Sequence, residues 1–386
     1  MKKIKLGDAC EILNGFAFKS ENYVDSGIRV IRISNVQKGY IEDNSPAFYP
    51  LETNGLEKYM LKEGDLLISL TGNVGRVAIL ERKFMPAALN QRVACLRLKT
   101  DKLSKRYLFH ILNSDFFEKQ CIQYSKGVAQ KNMSTAWLKD YEILLYSKEQ
   151  QELIADILDK MNLIKKLRYC ELEKLDELVR ARFVEMFGDP IENQKNWQVV
   201  KIRDIVTDVR YGTSKPAAEG GKYPYLRMNN LTVDGSLDLS DLKYIDIPDN
   251  EIEKCIVRKG DILFNRTNSI DLIGKTAVFN LLDDMVIAGY IIRIRLNDQI
   301  LPDVFSQYMN LEVMKKVLRG MAKGAVNQAN INAQELQSIK VYIPNMELQK
   351  QYVGFKEEID KSRSRIQKSL EASQELFDSL MQEYFG

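Results

Sequence analysis

The sequence is poor in the residues that build metal sites, disulfides and membrane spans. Of its 386 residues one is histidine, His110, and five are cysteines, Cys10, Cys95, Cys121, Cys170 and Cys255, none in a CxxC spacing. An odd, scattered set suggests neither a disulfide framework nor a zinc site, and the cysteines read as small apolar packing residues. His110 lies in YLFHILN with no histidine or cysteine nearby and reads as a packed or capping residue. The longest apolar runs, IVRKGDILF and GYIIRIRL, are broken by charge far short of the roughly 20 residues a bilayer crossing requires. The start, MKKIKLGDACEIL, lacks a signal-peptide core, so a cytosolic protein without a membrane partner is expected. No NPPY-like or DPPF-like methyltransferase tetrapeptide and no GxxxxGK[ST] phosphate loop is present, so a catalytically silent chain with no cofactor or metal of its own is expected. Charge of one sign is also missing: net +3 is barely basic, and composition alone does not point to nucleic acid.

What is present is a repeat. Gly64-Asp65 in YMLKEGDLLIS recurs as Gly260-Asp261 in CIVRKGDILFN, 196 residues on. Gly15 pairs with Gly212, Gly75 with Gly274, Lys126-Gly127 with Lys323-Gly324, Gln151 with Gln349, and the ending ARFVEMFG with DSLMQEYFG. The chain is two copies, residues 1 to about 188 and about 189 to 386, joined by the short IENQKNW; Asp189-Pro190 after Gly188 is a helix stop.

Each copy changes character once. Its first three quarters alternate in the β manner (IRVIRIS, DLLISL and RVACLRLK; then DILFNR, TAVFNL and YIIRIRL), with a helical segment such as RYLFHILNSDFFEKQC, which predicts a mixed α/β domain. Its last quarter has almost no glycine or proline. From Glu149 to Phe187 the apolar positions are Ile154, Ile157, Met161, Ile164, Leu172, Leu175, Val179 and Met186, with a step of eight after Ile164 that reads as a stutter. From Glu347 to Phe385 they are Phe355, Ile359, Ile366, Leu370, Phe377, Leu380 and Tyr384. Helices this long are marginal unless their stripe is covered, and the nearest complementary stripe is each other's. An antiparallel pairing with the two domains at opposite ends is expected; packing of each helix on its own domain is the alternative.

These residues resemble a known family. Two α/β domains with Gly-Asp-hydrophobic cores, each followed by EQQELIADIL or MELQKQYVGFKEEIDKS, with LDELVRARFVEMFGDP in the middle and LMQEYFG at the end, look like the specificity subunits of type I restriction-modification systems. The resemblance spans the whole chain and is strongest in the helical regions. It implies target-recognition domains over 1–146 and 189–345, and helical regions over 147–188 and 346–386 that pair as an antiparallel coiled coil. It further implies two methyltransferase subunits on the helices, with S-adenosylmethionine in the methyltransferase, optional restriction subunits, and a bipartite, gapped, asymmetric site on double-stranded DNA. Two unequal readers on a pseudo-symmetric scaffold agree with two unequal half-sites.

Readers of DNA carry Arg, Lys, Asn, Gln, Ser and Thr on loops. Three loops recur in both copies. The first follows the Gly-Asp strand: Ser69, Thr71, Asn73 and Arg76, then Asn265, Arg266, Thr267, Asn268 and Lys275. The second holds Arg32, Ser34 and Asn35, then Arg227, Asn229 and Asn230. The third holds Lys126, Gln130, Lys131 and Asn132, then Lys323, Asn327, Gln328 and Asn330. Asn90-Gln91-Arg92, Gly289-Tyr290, Phe16, Lys19, Tyr211 and Lys215 are weaker candidates, and any of these polar turns can equally be a solvated turn.

Asp65 with Glu81 and Lys83 offers a nuclease-like acid-x-Lys spacing, but the second copy has Asn280-Leu281-Leu282 there and keeps only Asp261, which fits a turn acid. Two rivals stay open: a modification or cleavage enzyme in its own right, and a coiled-coil adaptor that binds only protein.

Overall fold

The computed structural model describes residues 2–125, 132–325 and 328–386. It divides into two compact units, Met1–Arg168 with Ser369–Gly386, and Tyr169–Lys368. Both long helices form, as Lys148–Phe187 and Met346–Phe385, and each is shared between the units near its middle. Among the described residues no helix is long and apolar enough to cross a membrane.

In the first unit a four-stranded antiparallel sheet has the order Cys10–Asn14, Val93–Leu98, Leu66–Ser69, Val77–Ile79. A three-stranded sheet sets Ile28–Ile31 between Phe48–Tyr49 and Ala87–Leu89, the last pairing parallel. Lys2–Lys5 pairs with Glu142–Leu145, so the unit's beginning is tied to the residues just before the long helix. The second unit repeats the plan: Val206–Tyr211, Ile291–Leu296, Ile262–Asn265 and Thr276–Val278 form its antiparallel sheet, and Gln198–Lys201 pairs with Lys340–Ile343 at its root.

The repeated glycines follow from close backbone approach. A Cβ on Gly15 would sit 2.2 Å from the Asn90 carbonyl carbon and oxygen, and one on Gly212 would sit 2.2 Å from the Ile287 carbonyl oxygen, so no side chain fits where these strands end. The helical stretch in RYLFHILNSDFFEKQC is two helices, Lys105–Leu112 and Asp115–Tyr124, because Ser114 caps the second by accepting the Phe117 N–H at 3.1 Å.

Within each unit the long helices run antiparallel. In the first, Lys165 Nζ lies 3.8 Å from the Phe377 ring centroid and donates to Gln374 Oε1 at 3.1 Å, while Ile154 and Leu158 share a core with Phe385. In the second, Arg363 meets Asp176 at 2.5 Å, Arg182 lies over Phe355, and Tyr352 packs edge-on against Phe183 and Phe187. The expected stutter is absent. Ile164 is 41% exposed, and the covered face continues from Met161 through Lys165 and Arg168 to Leu172 in steps of four, three and four, an unbroken heptad with two cations in it. An ammonium held over the Phe377 ring lets a lysine occupy a position that hydrophobicity would assign to Ile164, and burial lowers the Lys165 pKa.

Each globular core is completed by the far end of a helix from the other copy. Phe385, with Phe377, Leu380 and Tyr384 beside it, packs into the first unit's core, its ring 5.6 Å from that of Tyr107. Val179, Phe183, Met186 and Phe187 enter the second unit's core. Phe385→Ala is expected to cost roughly 3 kcal/mol and to open the first unit selectively. Limited proteolysis checks this: new cleavages should fall within 1–168 and leave 169–368 protected.

Candidate nucleic-acid interface

The three candidate loops of each copy are joined to one another. The first meets the third through a bridge between Thr71 and Asn132, where Thr71 Oγ1 donates to Asn132 Oδ1 at 3.2 Å. In the second unit Thr267 Oγ1 donates to Asn330 Oδ1 at 3.1 Å, and Thr267–Asn268 is a strand beside the hairpin Lys323–Ala325 and Gln328–Asn330. The second loop is held to the first by a cation in both units: Arg76 donates to Gln37, and Lys275 Nζ donates to the Met228 carbonyl at 2.8 Å. Lys126, Gln130, Lys131 and Asn327 lie outside the described residues.

Several candidates are spent in holding these loops. Asn35 is 4% exposed, accepts the Arg32 N–H at 2.9 Å and donates to the Glu42 carbonyl at 2.8 Å. Asn230 is 2% exposed and does the same with the Arg227 N–H and the Asp238 carbonyl, both at 2.8 Å. Ser69 is buried, donating to the Asn73 carbonyl and accepting the Arg76 N–H at 3.0 Å. Lys275 is buried with its ammonium on a carbonyl, and burial lowers its pKa. These four shape the loops rather than face a ligand, because their polar atoms already have partners inside the fold.

Other candidates keep open surface. Ser34, Asn73, Asn132, Asn229, Lys323 and Gln328 are exposed, and Arg32, Thr71, Arg76, Arg227, Arg266, Thr267, Asn268 and Asn330 are half-buried. Arg32 donates to the Ser45 carbonyl, Arg227 pairs with Asp241 at 2.7 Å, Lys323 pairs with Glu335 at 2.5 Å, and Asn268 donates to Asn265 Oδ1 at 2.9 Å. In the second unit Lys323 and Gln328 lie on the strands Lys323–Ala325 and Gln328–Asn330 of a three-stranded antiparallel sheet that Thr267–Asn268 completes.

Asp65 and Asp261 are structural acids. Asp65 accepts the Lys62 N–H at 2.8 Å and receives Arg97 Nε and Nη2 at 2.9 and 2.7 Å. Asp261 accepts the Arg258 N–H at 2.9 Å and receives Arg295 Nε at 2.9 Å. Glu81 and Lys83 pair with each other at 2.9 Å on the surface. The arginine partners were missed in the sequence, although Arg97 in RVACLRLK and Arg295 in YIIRIRL occupy matching strand positions. His110 is buried with Nε2 2.8 Å from Asp159 Oδ1, as a packed histidine. Burial pushes the Cys10 and Cys121 thiols up to about 12, which makes them unreactive packing groups. Lys315, held by the Gly274 carbonyl and Asn310 Oδ1, is lowered to about 7 by burial and then by Arg319. Among the described residues no group of His, Cys, Asp or Glu is placed to hold a metal ion.

Together these features define a class: a duplicated α/β protein in which one loop frame is built twice on a shared helix pair, with different side chains on each copy. The family model described as the type I restriction modification DNA specificity domain matches residues 1–174 and again 194–373. The chain belongs to that family, and one match falls in each copy. The specificity subunit of the type I restriction enzyme EcoKI from Escherichia coli K12 is 21% identical over 381 residues, 93% of this chain and 82% of its own length. That of MjaVIII from Methanocaldococcus jannaschii is 28% identical over 179 residues, 45% of this chain and 42% of its own. The S subunit structure from M. genitalium matches with a TM-score of 0.59 at 15% identity, covering 100% of this chain and 96% of that one. A chain from the structure describing complex assembly and conformational transition of the type I R-M system matches at 0.60 and 16%, covering 100% and 97%. At such identities these structures establish the fold.

The division between loop-shaping and open residues is testable without DNA. Asn230→Ala should lose roughly 1–3 kcal/mol, because it strands a buried N–H and a carbonyl. Its exposed neighbour Asn229→Ala should stay within about 0.5 kcal/mol. Urea unfolding of both variants checks the contrast.

Proposed function

We propose that this chain is the DNA-reading subunit of a type I restriction-modification complex, in which each unit reads one half of a bipartite, gapped, asymmetric site and the chain itself does no chemistry. The observation that carries this reading is the repeated loop frame. Thr71–Asn132 and Thr267–Asn330 close the same junction in both units, while the side chains around it differ. A common frame with unequal contents suits two unequal half-sites. The absence of chemistry is supported by the candidate acids, since Asp65 and Asp261 are engaged by Arg97 and Arg295.

The helices supply the docking surface for methyltransferase subunits, which carry S-adenosylmethionine, and through them for restriction subunits. Leu153, Leu163, Ile164 and Leu167 are 60%, 55%, 41% and 54% exposed, an apolar stretch of helix that a partner would cover. The slight net charge of +3 fits a reader whose partners supply much of the phosphate attraction.

Methylome sequencing of a host that expresses the chain with its methyltransferase tests the proposal. The expected result is one new methylated motif in two separated, unequal parts, dependent on the chain. A contiguous motif, or methylation or cleavage by the purified chain alone with Mg²⁺ and S-adenosylmethionine, would contradict it.

A further inference from the structure

At one position of the loop junction the two units make matching backbone hydrogen bonds but carry opposite side-chain chemistry. The Leu70 N–H donates to the Arg92 carbonyl at 2.9 Å, and the Leu70 carbonyl accepts the Met133 N–H at 2.8 Å. In the second unit the Arg266 N–H donates to the Tyr290 carbonyl and the Arg266 carbonyl accepts the Ile331 N–H, both at 2.9 Å. Leu70 is 6% exposed and belongs to the first unit's core, whereas Arg266 is half-buried and turns a guanidinium to the same junction.

That guanidinium is held without an acid. It lies 4.9 Å over the Tyr211 ring, and Nη1 donates to the Gly289 carbonyl at 3.3 Å. The Tyr211 hydroxyl accepts the Ala333 N–H at 2.8 Å, so the ring beneath it is itself fixed. Among the described residues, Arg266 is the only partly buried arginine of the second unit with no carboxylate within 4 Å; Arg227, Arg295 and Arg363, for comparison, have one at 2.7, 2.9 and 2.5 Å. A half-desolvated cation without an anion is costly unless something else supplies acceptors. The Tyr211 ring under it is 43% exposed, and Tyr290, whose carbonyl accepts the Arg266 N–H, is 51% exposed.

We propose that Arg266 is the specificity-determining residue of the second unit and reads a guanine in its half-site. Stacking on Tyr211 fixes the plane of the guanidinium, and a planar fork of donors matches the guanine O6 and N7 acceptors. The first unit carries Leu70 at the matching position. This inference rests on the DNA-reading function proposed above.

The test uses the complex of the chain with its methyltransferase, selecting bound sequences from a randomised duplex pool for wild type, Arg266→Gln and Arg266→Lys, each checked for an unchanged thermal transition. The expected result is that Arg266→Gln loses about 5- to 150-fold discrimination at one G·C pair of one half-site, with the other half-site unchanged. Arg266→Lys keeps the charge but not the fork, and recovers only part of that discrimination. Variants that select the same guanine as wild type overturn the inference while leaving the DNA-reading function intact. So does a uniform weakening on all sequences with a salt slope reduced by about 1, which marks a phosphate contact. A wild-type complex that selects no sequence overturns the function itself, and the inference with it.

Discussion

Each globular unit depends on a helix end that the other copy contributes. Phe385 closes the core around Tyr107, and Phe183 and Phe187 close the core around Tyr308 and Tyr352. A single amphipathic helix of 40 residues has no stable place for its apolar face, and a recognition domain without the borrowed aromatic residues has an open core. Pairing the helices meets both needs at once. The aromatic, heptad and root-strand positions are thereby tied to one another, which leaves the exposed loop residues free of that constraint.

The loops show how difference is carried on a constant frame. Buried amides at Asn35 and Asn230 build the same turn, acid–arginine pairs at Asp65–Arg97 and Asp261–Arg295 anchor the same strand, and threonine–asparagine contacts join the same two loops. With the backbone fixed this way, exchanging Leu70 for Arg266 alters the chemistry offered at the junction without altering the junction. Rigid presentation matters for readers of bases, because discrimination depends on donors held in one plane at one place.

Much of this architecture was legible in the sequence. The Gly-Asp landmarks mark the repeat, the apolar periodicity of two stretches almost without glycine or proline marks both helices and their pairing, and all of these recur in the structure. The register inside the pair was not legible: counting apolar residues selects Ile164, yet Lys165 takes the covered position with its ammonium over the Phe377 ring, a contact between residues far apart in the chain. Nor could the sequence separate loop-building from open residues. Asn229 and Asn230 are adjacent and identical in type, and only the turn geometry turns one inward and leaves the other exposed. The arginine partners of Asp65 and Asp261 were hidden for the same reason, since a strand pairing brings them together.

The central claim is that the two units read independently from one frame. Its most direct measurement is an exchange of residues 198–345, whose ends lie at the paired root strands Gln198–Lys201 and Lys340–Ile343, for the corresponding segment of a relative with a different target. The methylated motif of the resulting complex is then sequenced. The account predicts that one half of the motif changes to the donor's and the other half stays as it was. A motif changed in both halves, or in neither, from a complex that still assembles would contradict it.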